Sequence, residues 1–85
     1  MKIKCGYTLT NNGDTYTLCQ NSKAIKRLHI SHIGAFLMEK TADANLTNAQ
    51  MLELLLDNFE ISTVLALGEI DTFIKLMKEN GLVEE

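Results

Sequence analysis

The chain has 85 residues, a hydrophobic fraction of 46% and a formal net charge of −3. That is one domain near the lower size limit for folding without staples, and it is too apolar to be intrinsically disordered. The acidic balance argues against nucleic acid, which is bound by concentrated Lys and Arg, and no apolar run reaches the roughly 18–20 residues of a membrane span.

The opening MKIKCGYT alternates polar and apolar residues and lacks the apolar block of a signal peptide, so the expected setting is cytoplasmic. Asn12-Gly13 is a strong hairpin signal, because a type I′ turn needs positive φ at both central residues. A turn there sets Asn11 against Asp14, Leu9 against Tyr16 and Tyr7 against Leu18. Ile3, Cys5, Tyr7 and Leu9 then share a face with Tyr16 and Leu18. Cys19 falls opposite Gly6, on the other face from Cys5, so the two cysteines are not expected to bridge. Cys5, Cys19, His29 and His32 have no zinc-ligand spacing, and they are read as two thiols in a reducing compartment and two ordinary histidines.

After a polar connection, Ile25 to Ile30 reads as a third strand, with Leu28 and Ile30 on one side and Arg27 and His29 on the other. Lys23, Lys26 and Arg27 make it the basic part of the chain. Ser31 is the expected N-cap of a first helix in which Ile33, Phe36, Leu37 and Lys40 recur at helical spacing. Gly34 costs that helix about 1 kcal/mol against Ala, either for close backbone packing or simply as a tolerated residue. Thr47-x-x-Gln50 is a capping box for a second helix, stapled by Leu46 and Met51, with Met51, Leu54, Leu55 and Phe59 on its inner side. Ser62 or Thr63 caps a third helix, which ends at Asn80-Gly81 with Leu82 folding back onto Met77. The apolar residues from Leu65 to Met77 cover over half of that helix, more than the stripe of about 100° that one packing face needs. Either the helix is wedged inside the core, or one of its edges lines an open groove; Leu67/Ile74 and Leu65/Leu76 are the two candidate edges. The expected fold class is α+β: a three-stranded antiparallel sheet followed by a three-helix bundle, in one domain spanning residues 1–85.

"LHISHIGAFL" at the strand-to-helix junction and "EIDTFIKLMKENGLVEE" at the end, in this order, resemble the PqqD-like family. These are winged-helix-like recognition elements for ribosomally made, post-translationally modified (RiPP) peptides. Members show an apolar strand, an Asn or Asp cap, a Thr-Gly-Ala-like helix start and a final D-V-x-x-F-L-x-x-L-x-x-x-G-L. Here Ser31 stands at the cap, Gly34-Ala35 at the helix start and Glu69-Ile70 at the Asp-Val position. Phe73-Ile74, Met77 and Gly81-Leu82 complete the ending; Ser31, His32, Ile33 and Glu69 depart from the usual residues.

The resemblance implies a non-catalytic adaptor without a cofactor. It binds the leader segment of a precursor peptide and presents the peptide to a modifying enzyme, often a radical S-adenosylmethionine enzyme. The leader adds as a strand along the third strand and rests against the third helix. The expected binding residues are Lys26, Arg27, Leu28, His29 and Ile30 from the strand and Leu67, Ile70, Asp71 and Ile74 from the helix. An open strand edge is a template for another chain, and basic residues on it favour an acidic one. Each feature has a plainer reading: Lys and Arg protect edges from aggregation, and an apolar helix is usually core. The alternatives are a DNA-binding winged-helix regulator, which lacks a basic recognition helix here, and a module that pairs with itself through the same edge. An enzyme has no recognisable nucleophile, metal motif or phosphate loop to work with.

Overall fold

The computed structural model describes residues 1–84. A two-residue strand, β1 (Lys2–Ile3), is followed by β2 (Tyr7–Asn11), β3 (Tyr16–Gln20) and β4 (Lys23–Leu28). Helices α1 (His32–Asp43), α2 (Asn48–Asn58) and α3 (Thr63–Glu79) come next, and β5 (Val83–Glu84) closes the order. Strands β2, β3 and β4 form a three-stranded antiparallel meander in sequence order, while β1 pairs with β5 in a separate two-stranded sheet. The fold is therefore α+β as expected, with one pairing that joins the two ends of the described chain.

The first hairpin differs from its expected register by two residues. Leu9 pairs with Leu18 and Asn11 with Tyr16, leaving Asn12 to Thr15 as a loop closed by the Asn12 N–H donating to the Thr15 carbonyl at 2.8 Å. The Asn11 side chain accepts from the Gly13 N–H at 2.9 Å, an Asx turn that lengthens the loop. Because the shift is two and not one, Tyr7, Leu9, Tyr16 and Leu18 keep their common face. Cys19 lies opposite Thr8 instead of Gly6, and Ile3 and Cys5 are not part of β2. Gly6, at φ +87, turns the chain between β1 and β2. Both cysteines are free thiols.

A two-residue loop with positive φ at both central positions does occur, one hairpin later. Gln20 pairs with Lys23 across Asn21 (φ 50) and Ser22 (φ 70). Strand β4 accordingly starts and ends two residues before the expected Ile25–Ile30.

The helix ends follow local chemistry. Ser31 accepts from the Gly34 N–H at 3.0 Å, and Ser62 from the Leu65 N–H at 3.2 Å. Thr47 and Gln50 form both bonds of the capping box. At the end of α3 the Gly81 N–H reaches the Lys78 carbonyl and the Leu82 N–H the Met77 carbonyl, a Schellman closure that Gly81 permits with φ +67. Leu82 is thereby buried in the core.

Helix α1 packs on β1, β2 and α3, and α2 packs on α3. Leu18 and Leu28 from the sheet, Leu37 and Met38 from α1, Met51 and Leu55 from α2, and Ala66, Ile70, Phe73 and Met77 from α3 make one continuous core. Thr41, fully buried on α1, donates its hydroxyl to the Leu37 carbonyl at 2.7 Å and so leaves no orphan polar group. No helix among the described residues is long and apolar enough to cross a membrane.

Candidate functional site

Strand β4 pairs with β3 on one side and with no strand among the described residues on the other. Alternate residues of such a strand direct their N–H and C=O groups away from the sheet, so β4 carries an unused hydrogen-bonding ladder. A bulge interrupts it: Leu18 pairs with Lys26 and Cys19 with Ala24, leaving Ile25 without a partner. A bulged residue bends and twists its strand. Ile25 is 48% exposed, an apolar side chain on an otherwise polar edge.

Leu28 and Ile30 hold the end of β4 to the core at 3% and 9% exposure, while Lys23, Lys26, Arg27 and His29 are exposed. Lys26 lies opposite Leu18 and hence on the core-facing side of the sheet, yet it is exposed because the helical layer does not cover this corner.

Beside the end of β4 is a small cleft of about 100 Å³. His29, Ile30 and Ser31 form one wall and Glu69, Thr72 and Leu76 the other, with buried Gly34 and Phe73 completing it. The Ser31 hydroxyl spans the cleft, donating to Glu69 Oε2 at 2.8 Å while it accepts from the Gly34 N–H. The first turn of α1 has no acidic residue of its own, so the Glu69 carboxylate from α3 supplies the negative charge that a helix N-terminus favours. Gly34 has a packing reason. A Cβ there would stand 2.6 Å from Cγ1 of Ile30 and 3.1 Å from its Cδ1.

The structure sorts the expected α3 residues by flank. The buried stripe is Ala66, Ile70, Phe73 and Met77. Glu69, Thr72 and Leu76 precede it around the helix and face β4 and the start of α1, in line with exposed Leu65. Leu67, Asp71 and Ile74 follow the stripe, about 200° away from the first flank at about 100° per residue. The strand residues are therefore brought beside Leu76 and not beside Leu67, Asp71 and Ile74. Ile70, at 1% exposure, lies wholly in the core. The surplus apolar surface of α3 is partly outside: Val64, Leu65 and Leu67 are exposed, and Ile74 and Leu76 half-buried. Spacing alone does not choose between the two flanks, and it passes over Glu69 and Thr72 as polar residues in an apolar pattern. The clue to Glu69 is its place at the Asp position of the resemblance.

No protein-family model matches the chain, and no curated protein matches it in sequence. Among solved structures, TbiB1 in complex with the TbiA(beta) leader peptide superimposes with a TM-score of 0.68 at 11% identity, covering 99% of this chain and 95% of that one. The two share a fold. The likeness runs over nearly the whole of both chains. At this identity it is a likeness of backbone and not of particular side chains.

Proposed function

We propose that this protein is a RiPP recognition element: a non-catalytic adaptor that captures the leader segment of a precursor peptide as an added strand on β4. The observation that carries the reading is the unpaired β4 edge, opening onto a cleft, in a chain with the fold of a protein solved in complex with a leader peptide. Main-chain groups of Lys23–Leu28 supply sequence-tolerant affinity. Exposed Lys26, Arg27 and His29 select an acidic leader and speed its association. Leu28, Ile30 and Ile70 act through position, as the packed support of the edge, and Leu76, Thr72 and Glu69 take the contact role on α3. Leu67, Asp71 and Ile74 belong to this site only for a leader that wraps over α3. The bound peptide is handed to a modifying enzyme, of which radical S-adenosylmethionine enzymes are the expected kind, in a reducing cytoplasm that suits two free thiols.

Self-pairing through the same edge is the poorer use of it. Two copies joined antiparallel across β4 would set Lys23 of each near Lys26 and Arg27 of the other, and like charges across strands destabilise. An acidic peptide removes that repulsion.

The test is a two-dimensional amide NMR titration with the leader of the precursor peptide encoded beside this protein. Shifts confined to Lys23–Leu28 and Glu69–Leu76 are expected. A folded spectrum in which β4 never responds would refute strand addition.

A further inference from the structure

A larger groove lies on the opposite side of α1 from the β4 cleft, with a volume of about 790 Å³. Tyr7, Leu9 and Tyr16 of the sheet form one wall, and Ala35 and Phe36 of α1, with Phe59, form the other. Phe36 and Phe59 stack edge to face at 5.2 Å, which fixes both rings as rigid apolar surface. The Tyr16 hydroxyl and His32 Nδ1, both in the lining, are hydrogen-bonded at 2.7 Å and tie β3 to the start of α1. The charged residues lining the groove are Glu39 and Asp43, one turn apart on α1, and no Lys or Arg among the described residues lines it. Lys40 is turned onto the Phe36 ring, 5.4 Å from its centroid. The molecule thus has a basic strand edge on one side of α1 and an acid-rimmed aromatic groove on the other.

We infer that this groove is a second docking site, for a basic amphipathic segment of a partner protein. Apolar anchors of such a segment fill the space against Phe36, Phe59 and Leu9, and its Lys or Arg residues meet Glu39 and Asp43. Aromatic anchors with a charged rim are how protein interfaces combine affinity with selection. The inference does not depend on strand addition at β4, and it is read from different amides, so either can fail alone.

The experiment titrates the whole protein with a short amphipathic Leu/Lys peptide and with its Leu/Glu counterpart, followed by amide NMR. The Leu/Lys peptide is expected to shift Leu9, Ala35 and Glu39 and to leave Lys23–Leu28 unmoved, while the Leu/Glu peptide leaves the groove unmoved. The exposed pair Glu39→Lys with Asp43→Lys should keep the wild-type spectrum elsewhere and weaken the Leu/Lys peptide about tenfold, as two rim charges predict. Equal response to both peptides, response outside the groove, no response, or an unchanged affinity in the double variant would each overturn the inference.

Discussion

Replacing Gly34 with Ala separates two effects of opposite sign. In an open helix interior the change would stabilise by about 1 kcal/mol, since Ala loses less backbone freedom on folding. Here the new Cβ would lie 2.6 Å from Ile30 Cγ1 and 3.1 Å from Cδ1. Rotation of Ile30 gives little relief, because its χ1 is stiff and one of the two alternative rotamers puts Cγ2 where Cγ1 stood. The side chain must move as a unit, taking the end of β4 with it. Overpacking of this kind costs about 1–3 kcal/mol. The expected balance is a net loss of about 1 kcal/mol, from a domain whose stability at this length is about 4–13 kcal/mol. Urea unfolding followed by circular dichroism should show a lower midpoint with an unchanged slope, and thermal unfolding a drop of about 4–8 °C. The variant's amide spectrum should change first at His29, Ile30 and Ser31. A Gly34→Ala protein as stable as the parent, or more so, would refute the account of Gly34 as a contact residue and leave it a tolerated glycine.

Ser31→Ala should cost about 1–2 kcal/mol, because it removes both the α1 cap and the bond to Glu69. A double-mutant cycle with Glu69→Ala should show coupling of at least about 0.5 kcal/mol in urea unfolding; additive losses would mean the bond is not formed in solution. Leu82→Ala should cost about 2–5 kcal/mol and approach the unfolding threshold at physiological temperature, measured by the same assay. Thr47→Ala should cost only about 1 kcal/mol, since its capping box is exposed and Leu46 still packs on the core. Reversing Lys26 and Arg27 together to Glu should leave the unfolding midpoint nearly unchanged and weaken an acidic leader about tenfold by calorimetry, with the loss fading at high salt.

What can be read from the sequence is what neighbours decide. Ser31, Thr47 with Gln50, and Asn80-Gly81 mark helix ends through bonds that span three to five residues and are recognisable from those residues alone, while at the start of α3 the sequence offers Ser62 or Thr63 and the structure caps with Ser62. The β1–β5 pairing has no such signature. Two residues of strand are too few to show a period, and their partner lies at the other end of the described chain. The hairpins depart from expectation in a more instructive way. Asn12-Gly13 carries the stronger local turn signal, yet the two-residue turn sits at Asn21-Ser22, and the first loop is lengthened by the Asn11 side chain. A shift of two keeps Leu18 on the buried face in either register, so its burial does not choose between them, and the choice falls to the loop, where the Asn11 side chain bonds the Gly13 N–H. The site divides along the same line. The basic edge can be located from Lys23, Lys26 and Arg27, but the α3 flank beside it depends on the rotation of a helix about its axis. The hydrophobic pattern, apolar on both flanks, leaves that rotation undetermined.

The two clefts share a wall, and consecutive residues at its start belong to different ones. Ser31 faces the β4 cleft and is bonded to Glu69 of α3; His32 faces the groove and is bonded to Tyr16 of β3. Helix α1 is thus pinned at its first turn from both sides, by one polar contact to each layer, while its buried side chains Leu37, Met38 and Thr41 lie further along. Ligands that only rest against a pinned helix bind independently, because neither can gain by moving it. A ligand that breaks one pin changes the helix start for both clefts. A leader whose own groups displaced Ser31 from Glu69 would therefore be felt in the groove, whereas one held by β4 main-chain bonds alone would not. The Ser31→Ala protein distinguishes these cases, since in it the pin is already gone: coupling between the two peptides, measured as the change in one affinity on saturation with the other, survives there only if it never ran through that bond.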